Sequence, residues 1–130
     1  MAVPCEAVIG RAIRERVSLI LEGVHIHPEL PERIEHISDA VVVHIMMGVL
    51  KPEDLRQRLS GRRHEAPERG AKAHVTNFEH VWRLQAYLLS EADRAGTPII
   101  INEDKDKATN LVLQTLIDVL ARAEDDDNGD

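Results

Sequence analysis

The chain has 130 residues, enough for one domain with a hydrophobic core. Apolar residues make up 43 % of it and aromatic ones only 2 %, so that core must be aliphatic and alanine-rich. Five of the 23 acids behind the net charge of −7 sit in the tail EDDDNGD (124–130), leaving 18 acids against 16 bases elsewhere, a near-neutral body that excludes a basic nucleic-acid-binding domain.

The start, MAVPCEAVIG, has no positive segment followed by an apolar signal core. Cys5 is the only cysteine, which rules out an internal disulfide and suits a reducing compartment. A soluble, cytoplasmic protein is expected. Over 5–17, Cys5, Val8, Ile9, Ala12, Ile13 and Val17 recur at helical spacing. SLIL (18–21) reads as a strand buried on both faces and ended by Glu22-Gly23. HPELPERIEHI is a proline-broken loop with at most one short helix. AVVVHIM (40–46) is a second buried strand, its β-branched run lacking alternation, and at 40–50 the longest apolar stretch is too short to span a bilayer.

Pro52 suits the first turn of a helix through about Leu59. SGRRHEAPERGAKAHV (60–75) mixes Gly, Pro and charge without a period and reads as a mobile, lid-like loop. Positive charge collects here, with seven Lys/Arg against four Asp/Glu over 51–73. TNFE (76–79) has capping-box spacing and opens a helix whose stripe is Phe78, Val81, Trp82, Leu88, Leu89 and Ala92, with Gly96 to end it. PIIIN (98–102) is a third strand. The last helix runs to about Ala123, buried except along Asn110, Gln114, Asp118 and Arg122, and the acidic tail 124–130 is disordered. Strands separated by helices and buried on both faces predict an α/β domain over 1–123 with a parallel sheet of about three strands.

In an open parallel sheet, ligands bind outside the carboxyl ends of the strands. Three polar clusters fall at such ends: Glu22 with His25 and His27, His44 with Met46 and Met47, and Asn102 with Asp104. The plain alternative is that polar residues stand wherever strands stop. His25 and His27 alternate as a metal pair would, but no third ligand has clear spacing, so no structural metal is expected. The arginines Arg56, Arg58, Arg62, Arg63 and Arg69 flank the glycine-containing loop. Guanidinium forks on such a loop suit phosphoryl groups; a solvated helix face explains Arg56 as well.

SLILEGVHIHPEL, VVVHIMM, RLSGR, NFEHVWRLQAYLLSEA and GTPIIINEDKDKAT together resemble the C-terminal part of the P-loop small-molecule kinases called 2-phosphoglycerate kinases. The resemblance runs from about Ile9 to the last helix. It implies a P-loop kinase fold with ATP and Mg²⁺ as cofactors. It places Glu22 as the strand-end acid that orders Mg²⁺ or activates the substrate hydroxyl. It sets His25 on the substrate side and Arg58 and Arg62 as the lid arginine pair; His27, two residues on, is a further substrate-binding candidate. Asn102, followed by Asp104, matches the exit of the last strand near the nucleotide. Where the family has two arginines before its Gln-x-Tyr-Leu motif, this chain reads Trp82-Arg83 and keeps only Arg83.

A phosphate-cradling Gly-x-x-x-x-Gly-Lys-Ser/Thr is absent: none of Lys51, Lys72, Lys105 and Lys107 follows a glycine. Phosphoryl transfer depends on positioning and charge stabilisation, and that loop supplies most of both. The expectation is a fragment or truncated relative of an ATP-dependent phosphotransferase acting on a small phosphorylated or hydroxylated metabolite, not competent alone. The alternative is a non-catalytic nucleotide- or metabolite-binding or regulatory module. A third reading is a metal-dependent hydrolase built on His25 and His27. The resemblance also places the missing P-loop strand between 18–22 and 40–46. The sheet is therefore expected to close up, to pair its edges in a homo-oligomer, or to take a strand from a partner chain.

Overall fold

The computed structural model describes residues 2–65 and 72–129, with side chains for 4–60 and 77–129. The fold is α/β. In chain order it has helix α1 (Ala2–Glu15), two short 3-10 turns (Leu30–Arg33 and Ile37–Asp39), strand β1 (Met46–Gly48) and helix α2 (Pro52–Glu65). Helix α3 (Lys72–Ala95), strand β2 (Ile99–Ile101) and helix α4 (Lys105–Asp127) complete it. The strands pair in parallel, with Met46 opposite Ile99, Met47 opposite Ile100 and Gly48 opposite Ile101.

Two strands stand where about three were expected. Residues 17–22 have no regular secondary structure and join no ladder, and Ile20 is 95 % exposed. A strand is made by its neighbour's hydrogen bonds, and this apolar run has no such neighbour among the described residues. The sheet has not closed up, because 18–22 and β1 are unpaired with each other. The second strand also begins later than expected. The ladder covers Met46–Gly48, the length matched by the three residues of β2, and 41–45 leads into it without joining a ladder.

Pro52 opens α2 as its missing N–H allows, with Glu53 and Asp54 in the positively polarised first turn. The helix then passes Leu59 and the Ser60-Gly61 pair to Glu65. At the other end α3 is already running at Lys72, so Thr76 is not its cap. The expected loop over 60–75 is thus helical at both ends, and 66–71, with Arg69, lies outside the described residues. α3 ends as its glycine dictates. Gly96 takes φ 67°, Thr97 N–H donates to Ala92 O at 2.8 Å and Gly96 N–H to Asp93 O at 3.2 Å, the Schellman closure.

The core lies between the sheet and α3. Leu88 and Ala92 of α3, Ile100 of β2 and Val49 beyond β1 are buried, and Leu55 of α2 joins them. Gly48 permits the close approach of α3, since a Cβ there would stand 3.1 Å from both Leu89 methyl carbons. α4 covers the sheet less completely than its sequence suggests. Ala108 is buried, but Leu113, Ile117 and Leu120 are exposed, so the helix is not mostly buried. It also continues to Asp127, which makes Glu124–Asp127 helical where a disordered tail was expected. No described helix is long and apolar enough to cross a membrane.

α1 closes in the same way as α3, with Arg16 N–H on Ile13 O at 3.1 Å and Val17 N–H on Ala12 O at 3.0 Å. Here Arg16 holds φ 54°, where an L side chain crowds the following carbonyl. Replacing Arg16 by Gly should therefore stabilise the chain by about 0.5–1 kcal/mol, after the entropy glycine adds to the unfolded state. Urea unfolding checks this: the midpoint should rise with the slope unchanged.

Candidate functional site

The carboxyl ends of β1 and β2 are tied together and then tied to two helices. Asn102 N–H donates to Gly48 O at 2.8 Å, which carries the ladder one residue past β2. Asn102 O in turn accepts from Nη2 of Arg58 on α2. Val49 is held from α3: its N–H donates to Gln85 Oε1 at 2.8 Å, and its C=O accepts from Gln85 Nε2 at 2.8 Å. One primary amide thus satisfies both main-chain groups of a buried residue, as a neighbouring strand would. Asp104 follows as the N-cap of α4, Oδ1 accepting from Lys107 N–H at 2.9 Å.

A second cluster joins the turn after residue 22 to α3. Gly23, at φ 153°, starts a turn closed by Ile26 N–H on its carbonyl at 3.3 Å. The chain then presents His27, whose Nδ1 accepts from Glu29 N–H at 3.2 Å. That bond leaves the proton on Nε2, which lies 3.2 Å from the Tyr87 hydroxyl and donates to it. The Glu29 carboxylate stands 3.9 Å from Nδ1 and 3.6 Å from Arg33. Behind His27, the half-buried His44 is held below the ordinary imidazole value of 6.5. Burial is the larger cause and nearby His27 adds to it, against the Pro28 carbonyl, which favours the charged ring. His44 also lines a groove of about 290 Å³ with Pro28, Glu32, Val42 and Thr97.

The expected residues are therefore only partly brought together. Arg58 and Asn102 meet, through a guanidinium and a backbone carbonyl. His27 meets Tyr87 rather than Arg58. Glu22 and His25 are exposed in the turn, and no hydrogen bond or ion pair joins them to Arg58 or Arg83. Arg83 is exposed on α3. Arg62 and Arg63 lie on α2, but their side chains, like all of Arg69, fall outside the described residues. Arg56 reaches over the Phe78 ring at 4.5 Å, and Phe78 stacks on Trp82, so this arginine joins α2 to α3.

Comparison with known proteins follows the same lines. The chain is similar to 2-phosphoglycerate kinases. It is 28 % identical to that of Methanopyrus kandleri over 125 residues, 95 % of this chain and 38 % of the relative. It is 26 % identical to that of Pyrococcus furiosus over 118 residues, 91 % and 37 %. It is 27 % identical to that of Methanocaldococcus jannaschii over 128 residues, 93 % and 41 %. The chain thus spans about two fifths of the curated relatives it matches. No family model matches. No solved structure matches.

The residues present do not complete a site for ATP with Mg²⁺. Among the described residues no three His, Cys, Asp or Glu stand close enough to hold a metal ion, and the sequence has no phosphate-cradling loop. Glu22 offers one exposed carboxylate, and an Mg²⁺ that keeps most of its waters still needs phosphate oxygens held beside it. Gln85 and Tyr87 are not among the residues expected from the sequence. Gln85 carries a signal, a polar residue within the apolar stripe of Val81, Trp82, Leu88 and Leu89, whereas Tyr87 lies on the opposite face of the helix and carries none.

Gln85→Ala strands two main-chain groups of the buried Val49 and should cost on the order of 2–4 kcal/mol in urea unfolding. Gln85→Glu keeps the acceptor, loses the donor and should recover only part of this. His44 gives a pH prediction. Its folded value lies below its unfolded one, so the unfolded state binds more protons between the two, and stability falls as pH drops below about 6.5. In His44→Gln, which keeps an N–H for the Pro28 carbonyl, the loss of stability between pH 6.5 and 5 should be shallower than in the parent chain.

Proposed function

We propose that this chain forms the acceptor- and lid-side portion of an ATP- and Mg²⁺-dependent phosphotransferase. Its substrate is a small phosphorylated or hydroxylated metabolite, with 2-phosphoglycerate the first candidate. The observation that carries this reading is the similarity to 2-phosphoglycerate kinases over nine tenths of the chain but only about 38 % of theirs. In the complete site, Glu22 would order the metal or accept the proton of the attacking hydroxyl. His25 and His27 would face the acceptor. Arg58, with Arg62, Arg63, Arg69 and Arg83, would hold phosphate groups, and Asn102 and Asp104 would border the nucleotide. The single cysteine supports a cytoplasmic setting. The chain acts as one domain and is not competent by itself, because the loop that would cradle the transferring phosphate is missing.

A second reading, a non-catalytic metabolite-binding or regulatory module, is favoured by one observation. Arg58 is engaged with the Asn102 carbonyl, as in a residue used for structure. Titration calorimetry separates the two. On the first reading the chain binds 2-phosphoglycerate without turning it over in the presence of ATP and Mg²⁺. Arg58→Gln then weakens binding about tenfold or more, the loss of one charge-assisted bond, with an unchanged helical circular dichroism spectrum. Absence of binding to 2-phosphoglycerate, or binding indifferent to Arg58→Gln, overturns the phosphotransferase reading. Turnover by the chain alone overturns its dependence on further residues.

A further inference from the structure

The two-stranded sheet has an edge that is open along one part and closed at another, and apolar surface continues from it onto α4. In a parallel strand the N–H and C=O of one residue point to the same side, alternating along the chain. Met46 N–H donates to Pro98 O and Gly48 O accepts from Asn102, so Met46 and Gly48 face β2. Met47 must then direct its main-chain groups away from β2, to the free edge. Continuing the alternation, Val49 does so too, and its groups are taken by Gln85. The free edge is thus open at Met47 and shut at Val49.

The faces repeat this asymmetry. α3 packs against Gly48 through Leu89, while the Met47 side chain remains 45 % exposed in a groove of about 270 Å³ shared with Asn102, Ala108, Val112 and Leu113 of the α4 side. From Leu113 the exposed apolar surface continues along α4 at helical spacing, through Ile117 (64 % exposed) and Leu120. A parallel sheet is normally covered on both faces, and here the Met47 face is covered on the β2 side only. The segment 18–21 is a second apolar stretch exposed along its whole length.

We propose that this surface receives a β-strand followed by an amphipathic helix, contributed by a polypeptide equivalent to the part of the 2-phosphoglycerate kinases that this chain does not match. The strand pairs with β1 and its lead-in up to Met47 and stops short of Val49, where Gln85 already occupies the edge. The helix lies beside α4 on Leu113, Ile117 and Leu120, and 18–21 gains a strand partner from the same unit. A strand and a helix together fit because both the edge and the adjoining face are bare. A second copy of this chain brings the same bare edge and the same exposed α4 stripe, and is the competing occupant that the test separates. The unmatched part of each relative, more than half its length, is large enough to contain such a unit.

The proposal rests on the phosphotransferase reading, and its test is read without activity. The chain is co-expressed with the tagged segment of the Methanopyrus kandleri kinase that it does not match, and also joined to that segment in a single chain by a flexible linker. Hydrogen exchange is then compared with the chain alone. The expected result is a one-to-one complex in which the amides of 18–21 and Met47 exchange at least tenfold more slowly. Ile20→Lys and Ile117→Lys, both at exposed positions, should abolish that protection without altering the helical spectrum. Unchanged exchange in both the pair and the joined chain overturns the proposal. So does protection of the same amides in the chain alone that grows with its concentration, since the occupant is then a second copy. A protected complex that fails to phosphorylate 2-phosphoglycerate leaves the docking surface standing and removes the function assigned to it.

Discussion

The side-chain amide of Gln85 is the constraint on which the carboxyl end of the sheet depends. A two-stranded parallel sheet three residues long has little of its own to hold it, because it has two edges and few ladder bonds. Its main-chain groups must nonetheless find partners where they enter the core. Gln85 supplies a donor and an acceptor in the geometry of a peptide unit, from a helix already fixed by Leu88 and Ala92. That fixes Val49, and through Gly48 O and Asn102 N–H it fixes the exit of β2 as well. Arg58 joins α2 to the same exit, and Asp104 caps α4 two residues later. Four elements therefore converge within a few residues of one amide.

The same arrangement explains why the sheet is well defined at one end and bare elsewhere. The side of α3 facing the sheet meets a glycine and can come close, so that face is packed. The opposite face meets α4 only over β2, and no large side chain anywhere in the described chain is fully buried. Hydrophobic stabilisation follows the area removed from water, so exposed Ile20, Met47 and Ile117 contribute little to this fold.

How far the sequence made this legible depends on the range of each interaction. Pro52 at the start of α2, Gly96 at the end of α3 and the Leu88/Ala92 stripe act within one or two turns, and each is placed as the residues indicate. Parallel α/β architecture also follows from local pattern, since apolar runs between helices have few other uses. The strand at 18–21 does not follow, because strand formation is a property of two segments and none of the described residues pairs with this one. Boundaries set by weak signals moved for a similar reason. The loop expected from residue 60 does not begin there, since one glycine costs a helix only about 1 kcal/mol and α2 carries through Gly61. The bonds from Gln85 to Val49 and from Tyr87 to His27 span 36 and 60 residues and have no periodic signature. Their polar side chains were visible in the motif, but their partners were not.

The engagement of Arg58 bears on how a phosphate site could be built here. A guanidinium has five N–H donors in a fixed fork, and the Asn102 carbonyl takes one of its nitrogens. A phosphate oxygen carries charge of its own and offers the guanidinium a bidentate partner, which a single neutral carbonyl does not. An anion at the carboxyl end of the sheet can therefore recruit the remaining donors of Arg58, or displace the carbonyl, without leaving the cation unsatisfied. The carbonyl meanwhile holds the arginine at the strand exit, where its side chain would otherwise sample many rotamers in water. On the phosphotransferase reading, the same contact would keep a charge in position for a ligand, and the same logic would apply to His27 on the Tyr87 hydroxyl. One is held by the main chain at the exit of β2 and the other by a side chain of α3, so both are fixed by the elements that form the sheet and its cover.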